Sequence, residues 1–155
     1  MLSVFCSPSR YVQGKNATAA LATEMAKFGW SGKVMIIAGR SAAKLLQETW
    51  HSTLPSSGFT PVVERFKGEC SADEIARLVA IAEQQKVTVI VGAGGGKVLD
   101  TSRAVAAKLD LPAVNCPTVA SSDAPCSALS VVYHPSGEFD QYFFYKRNPD
   151  LVLVD

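Results

Sequence analysis

Long hydrophobic runs are absent. No apolar stretch reaches the roughly 18 residues needed to cross a bilayer, and the N-terminus lacks the charged region, apolar run and cleavage site of a secretory leader. A cytoplasmic protein with no membrane partner is expected. An excess of one charge is missing too: 15 Lys and Arg stand against 14 Asp and Glu, for a net charge of +1. Without a basic run there is no electrostatic footprint for nucleic acid, so the expected partner is a small molecule or another chain, including a second copy of this one. Cysteine is sparse. Cys6, Cys70, Cys116 and Cys126 are far apart and form no CxxC pair, which excludes a disulfide scaffold and a zinc-finger pattern and leaves reduced, mostly buried thiols. The two histidines, His51 and His134, have no carboxylate or cysteine at ligand spacing. No catalytic residue and no metal ligand is therefore assigned.

What the chain does have is apolar content, 48% over 155 residues, enough to bury one core; one domain over 1–155 is expected. The apolar residues alternate between two periodicities. Residues 16–28 have helical spacing, with Asn16 as the candidate cap and Gly29 as the stop. Residues 33–38 are a continuous apolar run, as expected of a strand buried on both faces. Helices are then predicted over 41–53, 71–85 and 97–109, and strands over 60–66, 87–91 and 112–116. Pro61 points its strand to an edge, and Ser71 with Glu74 has capping-box spacing. Toward the C-terminus, 130–134 and 139–145 flank Pro135-Ser136-Gly137-Glu138, a predicted hairpin, and 151–154 is a last apolar strand. Strict alternation predicts an α/β fold, a Rossmann-like doubly wound, mainly parallel sheet with a C-terminal β-hairpin.

Chemistry concentrates at Gly92-Ala93-Gly94-Gly95-Gly96-Lys97, between a predicted strand and a predicted helix. Glycines let a backbone approach a pyrophosphate, and the first amides of the helix point partial positive charge at it. Lys97 would add a full charge. The plainer alternative is a tight turn that needs positive φ. Two generic nucleotide motifs fail: Val98 follows Lys97 where a Walker A loop needs Ser or Thr, and Lys97 replaces the third glycine of GxGxxG. Spacing alone therefore supports a phosphate-bearing ligand and no more.

The wording is more specific than either motif. Gly94-Gly95-Gly96-Lys97, then Asp100-Thr101, then Pro117-Thr118-Val119-Ala120-Ser121 running on to Asp123-Ala124-Pro125 and Ser130, then Tyr133, Gly137 to Asp140, and Asn148-Pro149 together resemble the glycerol dehydrogenases of the iron-activated alcohol dehydrogenase superfamily. The resemblance implies an NAD-dependent oxidation of glycerol or a related small polyol to dihydroxyacetone. It further implies that Gly94, Gly95, Gly96, Lys97 and Val98 hold the pyrophosphate of NAD and that Asp100 lies beside the nicotinamide end. Thr118, Val119, Ala120 and Ser121 would line the adenosine and phosphate path, Ser127, Leu129 and Tyr133 would border the nicotinamide, and Asp123 would bind the hydroxyls of the polyol. Each has a plainer reading. Asp123 suits the cap of the turn beginning at Ala124, Asp100 suits the first turn of a helix, and Tyr133 suits hairpin packing.

The sequence departs from that family in two ways. Its members carry an acid at the end of the second strand, where it binds the adenosine ribose; here that place reads Gly39-Arg40, which opens NADP as a cofactor unless Arg40 merely begins a surface helix. The family's metal, usually zinc in its glycerol members, is held by an Asp and a pair of His in an all-helical second domain, and none of these ligands is assigned here. The expectation is a truncated, cofactor-binding half that is inactive alone. A noncatalytic dinucleotide-binding or assembly module is the alternative, and a relative acting on glycerol phosphate is a third reading with little in the sequence behind it.

Overall fold

The computed structural model describes residues 1–121 and 123–155. Its elements run β1 (Arg10–Gln13), a 3-10 turn (Ala17–Ala20), α1 (Leu21–Ala26), β2 (Gly32–Ala38), α2 (Arg40–Thr53), β3 (Phe59–Arg65), α3 (Ala72–Gln85), β4 (Val87–Gly94), α4 (Gly96–Leu109), β5 (Ala113–Pro117), β6 (Leu129–Tyr133), β7 (Phe139–Phe144) and β8 (Leu151–Val154). A six-stranded sheet has the order β1-β8-β5-β4-β2-β3, and β6 and β7 form a separate antiparallel pair. Every pairing in the large sheet is parallel, as the unbroken apolar runs of β2 and β4 require. Such a sheet must be covered on both faces. Along β2, Val34, Ile36 and Ala38 pack with Leu21, Met25, Ala42 and Trp50 of α1 and α2. Met35 and Ile37 face the other way, onto Ile75 and Leu78 of α3 and Val105 of α4. Two-sided burial is the doubly wound arrangement that the sequence predicts. Pro61 lies on β3, the edge strand, where a missing N–H costs no ladder bond to a further neighbour.

Three local features differ from expectation. The segment after Asn16 is a 3-10 turn followed by a short helix, and the Asn16 side chain caps nothing, its backbone being left-handed at φ 63°. The cap is Asp155, from the far end of the chain: its carboxylate accepts from Asn16 N at 2.7 Å and from Thr18 N at 3.0 Å. The capping box at Ser71 is half made. Ser71 Oγ accepts from Glu74 N at 3.3 Å, but the Glu74 carboxylate turns to Lys67 N at 3.0 Å. Finally, β1 is a strand the sequence analysis leaves out. Only four residues long, it pairs with β8, the last strand, with Arg10 opposite Leu151.

The topology dictates where a ligand sits. From β2 the chain moves through α2 outward to β3, and from β4 it moves through α4 the opposite way to β5, while β2 and β4 are neighbours. The carboxyl ends of β2 and β4 therefore flank the switch point of the sheet, the crevice in which open α/β sheets bind ligands.

Candidate dinucleotide site

At the switch point β4 runs into the glycines. Gly92 and Gly94 are still in the strand, and Gly95 is the N-cap of α4 at φ −81°. None of the four adopts the left-handed conformation, so a turn needing positive φ does not explain them. Closeness does, for two. A Cβ on Gly92 would lie 2.8 Å from Ser102 Cβ, and one on Gly94 would lie 2.9 Å from Val98 Cβ; both glycines let α4 lie flat on β4. A Cβ on Gly95 or Gly96 would meet nothing. Space is left open there, in front of a helix end that no side chain caps. The amides of Val98 and Leu99 turn back to Gly95 O at 3.0 and 3.2 Å, while those of Gly96 and Lys97 are the leading donors of the helix, without an intrahelical acceptor. This cradle suits a phosphate group.

The remaining expected residues divide between two clefts. One, of about 320 Å³, is lined by Gly96, Lys97, Asp100, Asp123, Ser127, Leu129 and Tyr133, together with Ala124 and Val131. The other, of about 340 Å³, is lined by Thr118, Val119, Ala120 and Asp123 with Tyr11, Pro125 and Asp155 among its other walls. Asp123 belongs to both, an exposed carboxylate between them. Its neighbourhood is tied down by hydrogen bonds to backbone carbonyls: Cys126 N donates to Asp123 O at 3.0 Å, the Asn115 side-chain Nδ2 to Pro125 O at 2.8 Å, and Thr118 N to Gly94 O at 3.0 Å. Ser121 is exposed and lines neither cleft.

Several of these side chains have protein partners. Val98 is buried, with its methyl groups against Gly94 and Gly39, so its side chain packs and its amide is already bonded. Lys97 Nζ pairs with Glu69 at 2.7 Å and stands 5.2 Å above the Tyr133 ring, on the hairpin side of the turn. Asp100 is buried. Its carboxylate binds Arg103 and accepts from Val131 N at 3.2 Å, and its carbonyl accepts from Ser130 Oγ at 2.8 Å. Burial pushes the Asp100 carboxyl up, a tendency opposed chiefly by Arg103, while burial pushes the Arg103 guanidinium down and Asp100 opposes that. The pair fastens the hairpin to α4. Sequence reasoning missed Arg103, which lies three residues along the helix from Asp100 on the same face.

On the other side of the switch point a cavity of about 670 Å³ opens beside Gly39, lined by Arg40, Glu64, Arg65, Phe66, Lys67, Gly68 and Arg77. Arg40 is the first residue of α2 and is exposed. Arg65, within the predicted strand, and Lys67, just beyond it, carried no signal of a site in the sequence. Among the described residues no group of three His, Cys, Asp or Glu side chains is placed to hold a metal ion. No described helix is long and apolar enough to cross a membrane.

Comparison with known proteins identifies the family. The chain is 46% identical to a glycerol dehydrogenase of Thermotoga maritima and 41% identical to a glycolaldehyde reductase of Halobacterium salinarum, in each case over its whole length and 42% of the relative's. Among solved structures, a probable glycerol dehydrogenase from Sinorhizobium meliloti superposes with a TM-score of 0.89 at 34% identity, covering 100% of this chain and 41% of that one. The chain thus spans about two-fifths of the length of these relatives. Residues 8–155 match the iron-containing alcohol dehydrogenase family, and to that family the chain belongs.

Proposed function

We propose that this chain is the dinucleotide-binding part of a nicotinamide-dinucleotide-dependent oxidoreductase that oxidises glycerol, or a closely related small polyol, to dihydroxyacetone. The observation that carries the proposal is the open space at Gly95 and Gly96 before an uncapped helix end, at the switch point of a parallel sheet. A pyrophosphate there would receive the Gly96 and Lys97 amides. The nicotinamide would then extend toward the cleft of Ser127, Leu129 and Tyr133, Thr118 to Ser121 would line the phosphate path, and the adenosine ribose would reach the end of β2 at Gly39. When bound, the cofactor accepts the hydride that leaves the carbinol carbon. The chain's own part is to bind, orient and exclude water, with Asp123 receiving hydrogen bonds from the hydroxyls of the polyol. Relatives named for glycerol and for glycolaldehyde support a small, uncharged, hydroxylated substrate. Zinc, as in the family's glycerol enzymes, would be held outside these residues, so the isolated chain is expected to bind dinucleotide and turn over little glycerol.

Titration of the purified chain with NADH, followed by its fluorescence, tests the reading. Saturable binding that is weakened by Gly95→Val supports it. No binding of NADH or NADPH up to about 1 mM, a free energy of about −4 kcal/mol, would sink it, and zinc-dependent oxidation of glycerol by the chain alone would overturn the expectation of low turnover.

A further inference from the structure

The cavity beside Gly39 contains cations that the fold does not use. Of the residues lining it, Arg77 is paired with Glu64 at 3.4 Å and with Glu74 at 2.8 Å. Arg40, Arg65 and Lys67 are exposed and have no acidic partner among the described residues. Their backbone, in contrast, is fixed. Arg77 Nη2 donates to Arg65 O at 3.1 Å, Phe66 N to Ala38 O at 3.0 Å, and Lys67 N to Glu74 Oε1 at 3.0 Å. A buried carboxylate and its guanidinium partner thus hold the end of β3 against the end of β2 and leave two cations, with Arg40 from α2 as a third, around one hollow. Glu64, the acid lining the cavity, is engaged by Arg77.

The place in the fold identifies what those cations would meet. Gly39 donates its N–H to Ala93 O at 3.0 Å and lies against Val98, one strand from the glycine turn. In dinucleotide-binding sheets the residue at this strand end faces the adenosine ribose. An acid there receives the 2′ hydroxyl, and an arginine nearby accommodates a 2′ phosphate. This chain has no acid at Gly39, so it lacks the acceptor that favours the hydroxyl and the charge that would repel the phosphate. We infer that Arg40, Arg65 and Lys67 form a binding site for the 2′-phosphate of the adenosine ribose, making NADP a better ligand than NAD. The inference rests on the dinucleotide site proposed above. Arg65 and Lys67 are the specificity-determining cations added by the structure, and Glu74 and Arg77 are positioning residues.

The test is a parallel titration of the purified chain with NADPH and NADH at low and at raised salt, repeated with adenosine 2′,5′-bisphosphate against adenosine 5′-monophosphate as competitors. NADPH is expected to bind about tenfold more tightly than NADH at low salt, with the gap narrowing as salt screens the phosphate. In Arg65→Ala combined with Lys67→Ala the loss falls on NADPH and on the bisphosphate. Both side chains are exposed, and an unchanged melting temperature verifies that the variant is folded. Equal binding of the two cofactors, or tighter NADH, overturns the inference while leaving the dinucleotide reading standing. Failure to bind either one overturns that reading, and the inference with it.

Discussion

Replacing the glycines of the turn one at a time separates those that pack from those that face a ligand. In Gly92→Ala the new methyl would lie 2.8 Å from Ser102 Cβ and 2.3 Å from its Oγ, whereas carbon atoms at optimal separation stand about 3.5–4.0 Å apart. Rotating Ser102 moves its Oγ and leaves its Cβ in place, so α4 must lift off β4. Overpacking of this kind costs about 1–3 kcal/mol, offset by about 0.4–1 kcal/mol because alanine restricts the unfolded chain. A net loss of about 1–2 kcal/mol corresponds to a melting temperature lower by about 2–8 °C for a chain of this size. Ser102→Gly removes both clashing atoms at a helix cost of about 1 kcal/mol, so the two changes together should be more stable than the sum of their separate effects predicts, by about 1–2 kcal/mol of coupling. Gly94→Ala, against Val98, should behave like Gly92→Ala. Gly95→Ala and Gly96→Ala should melt at or slightly above the parent temperature while weakening dinucleotide binding. Thermal unfolding by circular dichroism on the four variants is decisive: if Gly92→Ala and Gly95→Ala melt together, the division of labour among these glycines is wrong.

Other outcomes follow from the polar contacts. Asp100→Ala strands the buried Arg103 guanidinium and should cost about 3 kcal/mol, lowering the melting temperature by about 6–12 °C; a change within about 1 °C would show that the pair does not fasten the hairpin. Glu24 is held below the ordinary carboxylate range by hydrogen bonds from Lys27 and then Arg10. A depressed carboxyl contributes stability above its unfolded pKa and loses it as the pH falls through the folded value, so Glu24→Gln should be less stable than the parent by about 1 kcal/mol near neutrality, a small figure because both cations are exposed, and equal to it in acid. A gap that persists in acid would contradict this. Burial pushes the Cys70 thiol up to about 11, whereas Cys6 is exposed. Iodoacetamide at about pH 8 should therefore modify the Cys6 peptide readily and the Cys70 peptide only after denaturant is added, as peptide mapping by mass spectrometry will report.

The sheet strands and their helices were legible because burial on both faces writes continuous apolar runs, and because Ser71, Pro61 and Gly29 mark boundaries by local chemistry. What escaped depended on distant partners. Four alternating residues at β1 say little until β8 is beside them, and nothing near Asn16 announces that its cap is Asp155. The glycine turn was legible as a site, but its internal logic was not: sequence cannot tell a glycine pressed against Ser102 or Val98 from one facing open space. Likewise Asp100 was placed by resemblance at a ligand, while its tie to Arg103 and Val131 depends on where the hairpin returns. Arg65 and Lys67 gain meaning only when β3 lies beside β2, with both carboxyl ends at one edge.

The pairing of β1 with β8 sets an order of assembly. Arg10 and Leu151, its partner in the register, are far apart in sequence, so a long interval must close before they meet. Closing a loop of that length is entropically unfavourable, and contacts of such separation slow folding. The central strands β2, β4 and β5 can assemble while β1 waits as an unpaired edge. An uncovered edge is where foreign strands add, and the capping of Asn16 and Thr18 by Asp155 is delayed with it. Substitutions that weaken β8 should accordingly be felt first as slow refolding and aggregation at the opposite end of the chain.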